Sequence, residues 1–362
     1  MSRKWLFRGA AVAAAPLIAL VVVELGARIL AAPAEAEIAF NAPMNAPSGM
    51  YVNDHTVGYV PTPNFSAVSS SPGYSVRIEV NSLSLRGPEV GEKQGERWLV
   101  GGDSFTFAAQ VDQDDSFVGL LNGEREFLNA GADGYGTWQA LGRYEALDQE
   151  LDLDGLLVVF FTGNDFADND RFRIQLSQAK QREHGALMPE VGTPPFTQFL
   201  SRYSFVYAHW TVAQRTQELK VGNNPELDRW RKELKVFTPA GKNELTRLMQ
   251  GTHKAFEALK RATSRRGDGL LVAVAPPGFA VDPRRAEAAF GLVDMDPTDT
   301  APRLPTDTVL EALERQGIAS CDLHAPLVES LERGEEPYFD FDGHWTPEGH
   351  QVVAEALQAC LP

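Results

Sequence analysis

Hydrophobic positions along the chain fall into two rhythms. Short apolar runs recur at Trp98-Leu99-Val100, at Phe127-Leu128 after Glu126, from Leu156 to Phe161 and from Leu270 to Ala275, with a weaker one at Ile318-Ala319-Ser320-Cys321. Runs without polar alternation suit strands buried on both faces, as in a parallel sheet. Between them lie stretches with helical spacing: 137–151, 243–265, 308–316 and 348–360. In the second of these, Leu245, Leu248, Met249, Phe256 and Leu259 fall on one face. Strands alternating with helices predict an α/β fold, a doubly wound, flavodoxin-like parallel sheet over residues 97–362. Residues 166–236 interrupt the rhythm, mixing Phe199, Tyr203, Trp210 and Trp230 with many charges. They predict a helical insertion, packed on the rim of the sheet or forming a lid or wall over a site.

The first 32 residues follow a different pattern. Arg3, Lys4 and Arg8 precede an uncharged, mostly apolar run from Gly9 to Val23, and Glu24 and Arg28 interrupt the apolar residues that continue to Ala32. A basic start before an apolar run is the export pattern. Cleavage near Ala34-Glu35-Ala36 would make the run a signal peptide; retention would make it a transmembrane signal anchor, with Glu24 and Arg28 paired at i,i+4 near the interface. We favour the anchor, with the body exported to the periplasm. Residues 33–96, rich in Pro, Asn, Ser and Ala at their start, read as a juxtamembrane segment with short extended pieces at 58–60 and 75–80.

Composition narrows the classes. At 362 residues and 43% hydrophobic, the chain can bury a sizeable core and is not mostly disordered. A net charge of −16 makes a phosphate backbone an unfavourable partner, so nucleic acid is not expected. The two cysteines, Cys321 and Cys360, cannot build a four-cysteine zinc site. In an oxidising compartment they can pair with each other; as buried thiols they would simply fill the core.

In an open parallel sheet, sites form beyond the carboxyl ends of the strands. Gly102-Asp103-Ser104 follows the first run, a tight turn that exposes a hydroxyl as a nucleophile requires, or merely caps a helix. Asn129-Ala130-Gly131-Ala132-Asp133-Gly134 follows the second, a loop able to aim a backbone N–H at a ligand. It is not the Gly-x-Gly-x-x-Gly of a dinucleotide site, and no cofactor is expected. Gly163-Asn164-Asp165 follows the third, where Asn164 can offer its amide to an oxyanion or cap a helix. Near the end, Asp342 can reach His344 across Gly343 and hold its tautomer. A metal site from Asp340, Asp342, His344 and His350 is the competing reading; its spacing fits no metal motif, and no metal is expected.

Taken together, these blocks resemble the SGNH (GDSL-type) hydrolase family, whose four blocks supply Ser, Gly, Asn and His. Gly102-Asp103-Ser104 matches the first block, Asn129 to Gly134 resembles the second, Gly163-Asn164-Asp165 matches the third, and His344 with Pro347, Gly349 and His350 resembles the last. Gly-Asp-Ser-Phe-Thr-Phe after Asn81-Ser82-Leu83-Ser84-Leu85-Arg86 is similar to a membrane-anchored bacterial subgroup. Two departures stand out. Phe341 occupies the place of the usual Asp three residues before His, leaving Asp342 in an Asp-x-His spacing, and Thr162 replaces the first Gly of the third block. Asp-x-His is similar to the SGNH-like domains of polysaccharide O-acetyltransferases, although in alginate-type members it precedes the Ser.

The resemblance implies an exported serine esterase acting on acyl esters: catalytic Ser104, His344 and Asp342, with an oxyanion hole from Ser104 and Gly134 N–H groups and the Asn164 side chain. An O-acyltransferase on a cell-envelope glycan would use the same residues, with Trp210, Trp230 and neighbouring aromatics lining an acceptor groove. A non-catalytic envelope binding protein would need one of the four groups out of place.

Overall fold

In the computed structural model of the chain, residues 3–30, 47–71, 73–181, 195–220, 225–340 and 342–362 are described. Helix α1 (Arg3–Leu30) comes first, then two antiparallel hairpins, β1 (Tyr51–Asp54) with β2 (Gly58–Pro61) and β3 (Ser66–Ser71) with β4 (Tyr74–Glu79). The alternating part begins with β5 (Arg97–Gly101), α2 (Ser104–Phe107), α3 (Phe117–Leu121), β6 (Glu126–Asn129), α4 (Thr137–Leu151) and β7 (Gly155–Phe161). The insertion supplies α5 (Asp165–Gln181), α6 (Pro195–Tyr203), α7 (Phe205–Lys220) and α8 (Pro225–Lys235). The chain closes with α9 (Lys242–Arg266), β8 (Gly269–Ala275), α10 (Gly278–Val281), α11 (Pro283–Leu292), α12 (Leu304–Gln316), β9 (Ala319–Asp322), α13 (His324–Glu332) and α14 (Pro347–Cys360).

The apolar runs became the five strands of one parallel sheet, in the order β6-β5-β7-β8-β9. That order is flavodoxin-like, with the switch point between β5 and β7. Alternate side chains of each strand enter opposite cores. Leu99, Leu156, Val158, Phe160, Val272 and Val274 pack with residues of α4, α9 and α12 on one face. Val100, Leu157, Val159, Leu271 and Ala273 pack with residues of α3, α13 and α14 on the other. Burial on both faces explains why these runs show no polar alternation. The four helices read from periodicity are α4, α9, α12 and α14, with ends within four residues of expectation, and the interruption is helical where described.

In the described portion of residues 33–96, the extended pieces expected at 58–60 and 75–80 are the strands β2 and β4, and the segment packs against the sheet domain: Met50, Tyr51, Val57, Val60 and Ile78 form a third core with Phe107, Ala132 and Tyr135. Asn81 Oδ1 accepts from the N–H groups of Leu83 and Leu85, which turns the chain, and buried Arg86 donates to the carbonyls of Phe107, Ala108 and Val111 beyond α2. The membrane-spanning helix expected over 1–32 is not found: among the described residues, no helix is long and apolar enough to cross a membrane. The expected cleavage site at 34–36 lies outside the described residues, as do 182–194 and 221–224 of the insertion.

Cys321 and Cys360 form a disulfide, with Cα atoms 5.8 Å apart, joining β9 to the end of α14.

Candidate active site

Strand β5 ends at Gly101, and a bend at Gly102 sends the chain into α2. A Cβ on Gly102 would lie 2.3 Å from Thr106 Oγ1 and 2.9 Å from Val159 O, so the bend requires glycine. Asp103 caps α2, its Oδ1 accepting from Phe105 N at 3.0 Å, and Ser104 is the first helical residue. Ser104 is therefore held at the carboxyl edge of β5, half-buried, with its hydroxyl directed at His344: His344 Nε2 lies 2.7 Å from Ser104 Oγ.

His344 precedes α14 on a loop after α13. Its Nδ1 is hydrogen-bonded to Asp342 Oδ1, which also accepts the His344 backbone N–H at 3.2 Å. The turn through Gly343 anticipated from Asp-x-His thus brings carboxylate and imidazole together within three residues. The other carboxylate oxygen, Asp342 Oδ2, accepts from Tyr74 Oη at 3.0 Å and Gln110 Nε2 at 3.3 Å. Gln110 Nε2 also lies 3.1 Å from His344 Nδ1. Phe105, stacked on Phe161, places its ring centroid 4.7 Å from that of the imidazole.

Electrostatics follow from burial and these partners. Burial opposes protonation of His344, but the charge of Asp342, its hydrogen bond, and the carboxylates of Asp103 and Asp133 outweigh it, raising the imidazole above its ordinary value. Burial pushes Asp342 up, and His344 and Tyr74 more than reverse this, so Asp342 sits below the usual carboxylate range. Neighbouring carboxyls behave oppositely. Burial pushes Asp103 up to about 7 and also raises Asp133, both without a full set of hydrogen-bond partners.

Gly134 and Asn164 occupy the loops after β6 and β7, which flank β5 in the sheet. Gly134 adopts φ +70°, a left-handed conformation that favours glycine. Its loop is gripped from the N-terminal hairpin: Tyr59 Oη donates to Asp133 O, Asp133 N donates to Tyr51 Oη at 3.0 Å, and Tyr135 Oη donates to Tyr59 O. Asn164 begins the turn into α5, its carbonyl accepting from Ala167 and Asp168 N–H groups, and its side chain is half-buried. Thr162, in place of the family's glycine, is buried and donates to Ala275 O at 3.1 Å.

Sequence reasoning did not find Tyr74, Gln110, Tyr51 or Tyr59. The three tyrosines lie in a segment that reads as a linker, and Gln110 lies six residues beyond Ser104 with no motif of its own. Other expectations are redirected. His350 is buried, and its Nδ1 accepts from Phe117 N at 3.2 Å. Burial pushes its imidazole down to about 3. Asp340 faces Arg285 at 3.4 Å. Among the described residues, no group of three or more His, Cys, Asp or Glu is arranged to hold a metal ion. Trp230 is 7% exposed and packed in the core, so it does not line an open groove with Trp210.

Residues 238–362 match a family model described as SGNH hydrolase-like domain, acetyltransferase AlgX. The match covers about a third of the chain, in its C-terminal part. The matched stretch holds Asp342 and His344; Ser104, Gly134 and Asn164 precede it. No curated protein matches the sequence. Among solved structures, the chain is similar to the α/β hydrolase enzyme LAE5 from the metagenome of Lake Arreo, at 16% identity and TM-score 0.36 over 74% of this chain and 94% of that one. It is also similar to a catalytic mutant of the acetylxylan esterase Axe2 from Geobacillus stearothermophilus, at 13% identity and TM-score 0.33 over 75% of this chain and 95% of that one.

Proposed function

We propose that the protein is a serine-dependent enzyme acting on acyl esters. The observation that carries this reading is the continuous contact from Ser104 Oγ through His344 to Asp342. His344 Nε2 takes the Ser104 proton as Oγ attacks the ester carbonyl carbon. The resulting oxyanion is met by the Ser104 and Gly134 backbone N–H groups and the Asn164 amide, a reading supported by their placement after three adjacent strands. His344 then gives the proton to the leaving alcohol, and an acyl-serine remains. In hydrolysis, water attacks this ester and loses its proton to His344, which passes it to the departing Ser104 Oγ as the free acid is released. Asp342 holds the productive tautomer and stabilises the imidazolium.

Transfer of the acyl group to a glycan hydroxyl uses the same first half-reaction. It is favoured by the Asp-x-His spacing and by the acetyltransferase family model over residues 238–362. Incubation with a labelled acetyl ester, with and without an acetyl-accepting oligosaccharide, separates the two: labelled free acid marks hydrolysis, labelled sugar marks transfer. Ser104→Ala should abolish both products; unchanged turnover by that variant would remove Ser104 from the mechanism.

We further propose export and attachment to a membrane through α1. Supporting this are the basic start before the apolar run, the exposed Leu20, Val21, Val22 and Val23, and the Cys321–Cys360 disulfide, which belongs in an oxidising compartment. Residues 97–362 would be the catalytic domain, with 166–236 its insertion.

A further inference from the structure

The helical insertion is tied to α1 at one corner. Glu24 accepts hydrogen bonds from Ser204 Oγ at 2.9 Å, Phe205 N at 2.6 Å and Val206 N at 3.3 Å, so its carboxylate caps the start of α7. Arg28, paired with Glu24 at 3.0 Å, donates to Tyr203 O at 2.7 Å. The two charged residues that interrupt the apolar run thus form the seat by which α1 meets the turn between α6 and α7. N-terminal to that seat, Leu20 to Val23 span more than one helical turn and are each more than half exposed, so this stretch of α1 is apolar all round.

The insertion extends exposed apolar side chains from the same corner. Phe196, Phe199 and Tyr203 recur at i, i+3 and i+7 along α6, and Val206 and Trp210 at i and i+4 along α7. Phe199 is 56% exposed and Trp210 is 53% exposed. Apolar surface of this kind on a folded chain marks a contact with a partner or a membrane.

We infer that α6 and α7 lie on the bilayer that receives α1, their aromatic side chains at headgroup depth. This rests on the membrane attachment proposed above and goes beyond it: the insertion is a second, peripheral contact. A lipid bilayer fits the surface better than a second copy of the chain for two reasons. Association of two helices buries one stripe of each, whereas Leu20 to Val23 of α1 are exposed around the helix. The exposed side chains of α6 and α7 include the Trp and Tyr that settle at membrane interfaces. The contact also bears on the catalytic loop. A cavity of about 350 Å³ is lined by Arg28 and Tyr203 of the corner and by Phe339, Asp340 and Thr346 of the loop carrying His344. Two contacts with the bilayer, one on each side of this corner, hold that loop at a set orientation to the membrane.

The test uses the full-length protein reconstituted with vesicles of phosphatidylethanolamine and phosphatidylglycerol. Flotation reports attachment; quenching by lipids brominated along the acyl chain reports depth. The difference in emission between the wild type and Trp210→Phe isolates Trp210 among the six tryptophans. Brominated vesicles should remove most of the Trp210 emission, and iodide in the aqueous phase should remove little. Failure of the wild type to float would overturn attachment and this inference together. Flotation with Trp210 open to iodide and untouched by bromine would overturn the inference alone. Shielding from both quenchers would show a second protein copy covering the surface, and would also overturn it.

Discussion

Asp342 has more partners than His344 alone demands. Tyr74 and Gln110 both donate to Oδ2, leaving Oδ1 aimed at the imidazole. Tyr74→Phe removes one bond to a charged acceptor while keeping the ring against Phe339. It should lower kcat/KM about 10-fold or more, measured with a short-chain acyl ester, with little change in folding. A result equal to wild type would mean that Gln110 suffices to hold the carboxylate. Asn164→Ala should lower kcat about 10²–10³-fold if its amide faces the oxyanion, with KM little changed. The pH profile carries a sign. His344 must be neutral to accept the serine proton, and its pKa is raised, so activity should fall as pH drops through a midpoint above the ordinary histidine value. An acid limb below that value would contradict the influence of Asp342, Asp103 and Asp133.

The β1–β2 and β3–β4 hairpins show how an apparent linker becomes part of the site. Tyr51 and Tyr59 grip the Asp133-Gly134 loop and Tyr74 grips Asp342, so two short antiparallel pairs brace two separate loops. Alternation in these strands is weak, and their tyrosines meet residues roughly 75 to 270 positions away. Nothing local in the sequence announces such partners. The parallel strands are the reverse case, since burial on both faces writes itself directly into Leu156–Phe161 and Leu270–Ala275. The disulfide acts at the same level of organisation. It closes β9, α13, the His344 loop and α14 into a loop with a separation of 39 residues. Chain-entropy reasoning gives about 4 kcal/mol for a loop of that size. Replacing both cysteines with serine should therefore lower the urea midpoint markedly; an unchanged midpoint would show that the rest of the fold holds α14 unaided.

Across the protein, buried acids cluster beneath the carboxyl edge of the sheet. Burial pushes Asp103 and Asp168 up to about 7, and raises Asp165 well above the usual range. A carboxyl with a raised folded pKa contributes stability that is full below its unfolded pKa and is lost as pH rises through the folded one. Buried His350 has the opposite sign: its depressed pKa means stability is lost as pH falls below the ordinary histidine range. Thermal stability should therefore decline between about pH 4 and pH 7 through the acids. Asp168→Asn should flatten that decline, as read by melting temperature across the range. An equal slope in that variant would place the pH dependence elsewhere.

From residue order alone came the strands, the main helices, their doubly wound arrangement, and the nomination of Ser104, Asp342 and His344, because continuous apolar runs, helical periodicity and short motifs are properties of neighbours along the chain. The distance from Ser104 to His344, the tyrosine braces, the core position of Trp230, the pairing of Cys321 with Cys360 and the seat of α1 on the α6–α7 corner emerged only from the folded chain. Each depends on which distant segments pack together, and that choice is made by burial across the entire core and leaves no local pattern to read.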